Sequence, residues 1–249
     1  MKVRIAYLDE PPFYWARPDG SATGADIDLA DVVLRAIGTT TIEHHKTSFE
    51  ELLPGVQAGR WDMNVPIFAT PERARHVAFS VPVWTIGDGF VVRRGNPKAL
   101  TSYDAVAARA DARLGVIPAQ VQCHAARSAG VSDGQLVEFK DQPEAVAALL
   151  EGKIDAFTGT ALGGRVLANA NPALESVAHD AIGEGRAAVG AFSFARNDTG
   201  LLEAVNQALR RYLGSPEHRA RMAIYGFTSA EIDGVLPVAA PGTVPKSRT

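Results

Sequence analysis

Two apolar, partly alternating runs, Ile86–Arg93 and Ala187–Asp198, bracket roughly a hundred residues that read as an α/β unit of their own. The segments outside that bracket also alternate short strand patterns with helical ones. A chain so arranged leaves one domain, builds a second and returns to the first. The expected architecture is therefore α/β and two-lobed, each lobe a mixed central sheet flanked by helices, with two crossing strands as the hinge. Residues 1–90 and 190–249 are assigned to the first, discontinuous lobe and 91–189 to the second.

At 249 residues the chain is long enough for either lobe to bury a core. With 46% hydrophobic and 21% charged residues it has the composition of an ordinary globular protein. A formal net charge of −3 and the absence of any Lys/Arg stripe give no basis for nucleic-acid binding. Every apolar run is broken well short of a membrane span. Cys123 is the only cysteine, so no intrachain disulfide can form, which leaves an oxidising compartment open. The N-terminal MKVRIAYLDEPPF enters a strand pattern directly and shows no signal-peptide core. A cytoplasmic protein and one whose leader has been removed both fit that start.

In chain order, Val3–Tyr7 alternates as a first strand and runs into DEPPFYW. Two prolines followed by Phe13, Tyr14 and Trp15 make a loop that cannot bury all three rings, so at least one is expected to line a cleft. Asp19-Gly20 marks a turn, and Asp26–Ile37 has helical spacing that ends at Gly38. His44 and His45 are neighbours on a strand and point to opposite faces, so they cannot chelate one metal. Ser48 with Glu51 has the spacing of a capping box. In the second unit, Leu114–Ile117 and Ile154–Thr158 read as strands, Gln120, Gln122 and Cys123 lie where a loop runs into a helix, and Gly159 and Thr160 lead into the helix 161–168. Asp198–Leu213 is an amphipathic helix, and the tail from Pro237 is proline-rich.

The densest chemistry lies in Gly59–Pro82. Thr70 before Pro71, with Glu72 in the first turn, predicts a helix N-terminus. It follows directly on a strand, at the place where open α/β sheets put their ligands. Arg73 on that turn and Phe68 in the preceding loop would suit a small organic anion. The same pattern also fits a surface helix with a solvated arginine.

The order and spacing of several segments resemble the periplasmic solute-binding proteins of ABC importers, family 3, the type II class that typically binds polar amino acids. The segments are the opening strand with PPF, GADIDLADVVLRAIG, SFEELLPGVQAGRWD, TPERARHVAFSVP, GKIDA and a close in IYGF, spanning Val3 to Phe227. The resemblance implies a periplasmic, monomeric, non-enzymatic protein without cofactor or metal, whose partners are ABC permease subunits and a small ligand. It implies that Arg73 clamps the ligand's carboxylate, and that Phe13, with Phe49, supplies aromatic contacts in the first lobe.

Two departures from that family bear on the ligand. Thr160 stands where amino-acid binders carry an aspartate for the α-ammonium, and Pro66 and Phe68 stand where they carry hydroxyls. The second-lobe loop, usually glycine and two threonines, reads Ala119, Gln120, Val121. An ordinary amino acid would leave its ammonium desolvated and unpaired. The remaining set of Arg73, Glu10, Phe13, Phe49 and Phe68 resembles the ectoine and hydroxyectoine binders. There an arginine meets the carboxylate, while rings and an acid meet a diffuse cation. Gln120 and Thr160 would close on the ligand from the second lobe, and Trp84 faces either the cleft or the core. Glu10 could equally form an ion pair with a first-lobe arginine. Betaine-like or modified amino acids would satisfy the same residues. The alternatives are a cyclohexadienyl-dehydratase-like enzyme, which needs a cleft acid that the Thr158–Ala161 loop lacks, and a sensory descendant of the fold.

Overall fold

The computed structural model describes residues 1–179 and 188–236. Its strands are β1 (Lys2–Tyr7), β2 (Trp15–Ala16), β3 (Ala22–Thr23), β4 (Thr41–Lys46), β5 (Met63–Phe68), β6 (Ala78–Phe79), β7 (Trp84–Thr85), β8 (Asp88–Arg93), β9 (Leu114–Val116), β10 (Leu136–Glu138), β11 (Ala156–Thr160), β12 (Leu174–His179) and β13 (Val189–Phe194). Its helices are α1 (Ala25–Ala36), α2 (Phe49–Gln57), α3 (Pro71–Ala74), α4 (Tyr103–Ala107), α5 (Val121–Ser128), α6 (Gln142–Leu150), α7 (Ala161–Ala170), α8 (Thr199–Tyr212), α9 (Pro216–Ala223) and α10 (Ser229–Asp233).

These strands form two mixed sheets, each the centre of a lobe. The first runs β4-β1-β5-β13-β6, with β7 also on β13, and the second runs β10-β9-β11-β8-β12. The two share one plan. Three parallel strands are followed by an antiparallel one, β13 in the first sheet and β8 in the second. In each sheet the strand order reverses at its first parallel strand, β1 or β9, which opens a crevice beside that strand's C-terminal end.

Alternation along the strands sorts the cores. On β8, Phe90 and Val92 face one side of the second sheet with Leu114, Val116 and Ala156. Val91 faces the other side with Ile154, Phe157 and Leu149. The first lobe gathers Ile5, Leu29, Val65, Phe192 and Phe194 beneath α1 and α8. Leu162 of α7 is fully buried in that same cluster, and half-buried Phe49 packs against cores of both lobes. The two lobes therefore touch through side chains as well as through the crossing strands.

Proline in the middle of β5 has a visible consequence. Pro66 has no N–H for the ladder, and the β5–β13 register shifts between Ala191 and Ser193. Phe192, left out of that pairing, exchanges hydrogen bonds with Ser80 instead: its N–H donates to Oγ at 3.1 Å, and its carbonyl accepts from the Ser80 N–H at 2.9 Å.

Several local expectations shift. Ser48 is the N-cap of α2, but its hydroxyl accepts no capping bond, so the expected capping box does not form. The strand expected at Ile154–Thr158 lies at Ala156–Thr160, which moves Thr160 from a loop to the strand–helix junction. The helix α4 starts at Tyr103 behind a Ser102 cap, whose hydroxyl accepts from the Ala105 N–H. The tail from Pro237 lies outside the described residues.

Candidate functional site

The loop after β1 is a tight turn locked onto the N-terminus of α1. Glu10 N–H donates to the Tyr14 carbonyl at 2.7 Å, and Phe13 N–H donates back to the Glu10 carbonyl at 3.0 Å. The first N–H groups of α1, from Ala25 and Asp26, donate to the carbonyls of Pro12 and Phe13. Loop backbone thus does the work of a cap side chain. This explains glycine at the N-cap: Gly24 has φ +127°, and a Cβ there would lie 2.3 Å from the Phe13 carbonyl oxygen.

Across the crevice, Thr70 caps α3 as its sequence predicts, accepting from the Arg73 N–H at 3.2 Å. That fixes Arg73 in the first turn and turns its side chain inward, where the residue is only 8% exposed. Its guanidinium donates to the Phe68 carbonyl at 2.9 Å and, across the lobes, to the Ala119 carbonyl at 3.0 Å. It lies 5.0 Å from the centre of the Phe49 ring. Among the described residues no carboxylate bridges it. Burial accordingly lowers its pKa to about 10. The surface-helix alternative is overturned: this arginine is a buried cation held by carbonyls and a ring face.

Ala119 adopts φ +63°, a left-handed conformation that costs a non-glycine residue about 1 kcal/mol. Its carbonyl is the one that meets Arg73. The next residue, Gln120, donates from Nε2 to Glu10 Oε2 at 3.0 Å, a second bond between the lobes. Glu10 therefore pairs with a second-lobe amide, and the alternative of an ion pair with a first-lobe arginine does not hold. Burial raises its carboxyl from 4.5 to about 7, against the opposing hydrogen bonds from Gln120 and Tyr14.

Together these groups line a half-open pocket between the lobes. Its lining contains Glu10, Phe13, Phe49, Phe68, Arg73, Trp84, Gln120 and Thr160, all eight residues singled out from the sequence. Trp84 stands edge-to-face with Phe68 at 5.2 Å and lies 5.7 Å from Phe13, so it is both packed and cavity-lining. The Thr160 hydroxyl is committed to capping α7, accepting from the Gly163 N–H at 3.0 Å.

Four further residues belong to the site or its backing: Tyr14, one of the three rings of which at least one is expected in a cleft, Gln122, which the sequence places on the same loop as Gln120, and two acids that the sequence reading missed. Tyr14 and Gln122 also line the cavity. Behind Gln122 lies Asp88, paired with Thr160 across β8–β11 and 1% exposed. It accepts from Gln122 Nε2 at 2.7 Å and from the Tyr103 hydroxyl at 3.0 Å, and burial raises its pKa to about 7. Asp26, wholly buried, accepts from Trp84 Nε1 at 3.1 Å. Asp26 had a signal in the sequence: it stands one turn before Leu29 and Ala30 on the apolar stripe of α1, where a charge is out of place. Asp88 had none, because its neighbours come from strands and helices distant in sequence.

A two-lobed α/β molecule with an aromatic-lined crevice and a buried arginine in it has the form of a ligand-binding protein. Residues 3–226 match the bacterial extracellular solute-binding proteins, family 3, and the chain belongs to that family. It is 28% identical over 240 residues to a probable amino-acid ABC transporter periplasmic-binding protein of Sinorhizobium fredii, covering 94% of this chain and 79% of that one. Among solved structures it resembles EhuB in complex with hydroxyectoine, with a TM-score of 0.81 and 27% identity over 96% of this chain and 95% of that one. It also has the fold of an ancestral amino-acid-binding protein, AncCDT-1, described as a precursor of cyclohexadienyl dehydratase. That match has a TM-score of 0.79 and 23% identity, covering 90% of this chain and 94% of that one. Among the described residues no helix is long and apolar enough to cross a membrane.

Proposed function

We propose that the chain captures a small zwitterionic carboxylate between its lobes and delivers it to the permease of an ABC importer. Ectoine or hydroxyectoine is the leading ligand; a betaine-like or modified amino acid is the next. The observation that carries this reading is that one pocket holds a guanidinium, an acid and several rings. A buried Arg73 with no acid partner among the described residues lines it together with Glu10 and the rings of Phe13, Phe68 and Trp84. Arg73 offers paired donors to a carboxylate. A diffuse, weakly hydrated cation suits ring faces, with Glu10 as a directed acceptor. Thr160 in place of an acid, its hydroxyl already engaged, counts against an α-ammonium. The likeness to a structure holding hydroxyectoine supports the same ligand class.

Calorimetric titration with ectoine, hydroxyectoine, glycine betaine and a panel of L-amino acids tests the reading. Cationic carboxylates without a free α-ammonium are expected to bind most tightly, and Arg73→Ala to bind none of them while keeping its fold. Tight binding of an ordinary L-amino acid would overturn the ligand assignment. A second reading, an enzyme acting on a cyclohexadienyl carboxylate, draws on Glu10, a cleft acid that still holds its proton near neutrality. Incubation with such a substrate and a search for product decides it.

A further inference from the structure

Asp26 sits in the first turn of α1 with no exposed surface, yet no basic group pairs with it among the described residues. One carboxyl oxygen accepts from the Trp84 indole N–H at 3.1 Å, and the other has no hydrogen-bond partner. The titratable groups that face it are Glu10 and Tyr14, both on the loop after β1, and Arg73 in turn faces Tyr14. Trp84 lines the cavity; Asp26 does not. The indole therefore stands between a buried acid and the space a ligand would occupy.

A residue whose only task was to hold the Trp84 ring would need an acceptor and no ionisable group, which an amide would supply as well as an acid. Burial raises the Asp26 pKa well above the usual carboxylate range, with the neighbouring Glu10 adding to the rise and the Trp84 indole opposing it. A cation arriving over the ring would reverse that balance. The N-terminus of α1 and the indole N–H both favour the ionised form. A carboxylate on the N–H edge then makes the ring face more negative, and its own field reaches the cation through a medium of low dielectric.

We propose that Asp26 sets the preference of this site for carboxylates that carry a cationic group over those that do not, acting as a positioning residue through the Trp84 indole and giving up its proton when the cation binds. The inference rests on the reading of the ligand as a cationic carboxylate. It adds a determinant of specificity that never touches the ligand.

The test is Asp26→Asn, which keeps the acceptor for the indole and removes only the charge. Wild type and variant are titrated with ectoine and glycine betaine, and with 3-methylcyclohexanecarboxylate and 3,3-dimethylbutyrate, isosteres that keep the carboxylate and lack the cation. The variant is expected to lose about five- to tenfold in affinity for the cations and less than about twofold for the isosteres, with an unchanged or higher Tm. Equal losses for both classes, or none, would overturn the inference. Titrations in buffers of different ionisation heat count protons. Wild type should release more per cation bound than Asp26→Asn, and equal counts overturn the inference even where an isostere binds too weakly to titrate. If wild type binds neither cation, the ligand reading fails and takes this inference with it. If the cations bind and Asp26→Asn is indifferent, this inference alone fails.

Discussion

Glu10 shows what burial does to a single residue. Its carboxyl gains a hydrogen bond from Gln120 and loses water, and the loss wins, raising its pKa from 4.5 to about 7. The folded chain therefore holds this proton more tightly than the unfolded chain. The associated stability is fully present below pH 4.5 and is lost as pH rises through about 7. The shift corresponds to about 3 kcal/mol. Urea midpoints of the wild type should fall over that window, and Glu10→Gln should remove its share of the fall. Parallel pH profiles for the two proteins would refute the raised proton affinity. Asp88, also pushed to about 7, gives wild type and variant a common slope and drops out of the difference between them, which holds Glu10 together with its effect on Asp26.

Among the elements, β5 and β7 carry Phe68 and Trp84 of the aromatic wall, and the packing of β13 against both leaves no slack. Gly190 pairs with both Phe68 and Trp84, and a Cβ there would lie 2.2 Å from the indole. That ring is already wedged between Phe68 and Phe13. Gly190→Ala is expected to cost roughly 1–3 kcal/mol by overpacking and to weaken ligand binding, because the indole has nowhere to go but the cavity. Thermal unfolding and calorimetry check the two effects, and a variant as stable as wild type would sink this account. Elements were legible where a local rule sufficed. Thr70–Pro71 predicts α3, and Thr70 does cap it. Ser48–Glu51 predicts a box just as well on paper, yet the Ser48 hydroxyl makes no capping bond. The Glu51 carboxylate is instead bound to Arg60. A local pattern states what an end could do, and a partner from another segment decides whether it does.

For the whole molecule, side chains tie the lobes together through Arg73 to the Ala119 carbonyl, Gln120 to Glu10, and Arg165 of α7 to the Gly226 carbonyl and the Glu231 carboxylate. Gln120→Ala removes one of them and leaves the first-lobe half of the site intact. It is expected to speed ligand release severalfold with little change in association, as stopped-flow tryptophan fluorescence would show. A variant slowed in association instead would mean that Gln120 contacts the ligand before closure.

The sequence by itself determined the α/β alternation, the return of the chain to its first lobe, and the residue types of the cavity wall. Each of these is written in periodicity, in turn chemistry or in a segment a few residues long. Only the tertiary structure decided that Arg73 is buried without an acid, that Glu10 meets Gln120, and that Asp26 and Asp88 lie behind the wall on Trp84 and Gln122. The reason is physical. Desolvation, charge and hydrogen bonding depend on distances between segments that no local pattern encodes, and Asp26 and Trp84 are 58 residues apart in the chain.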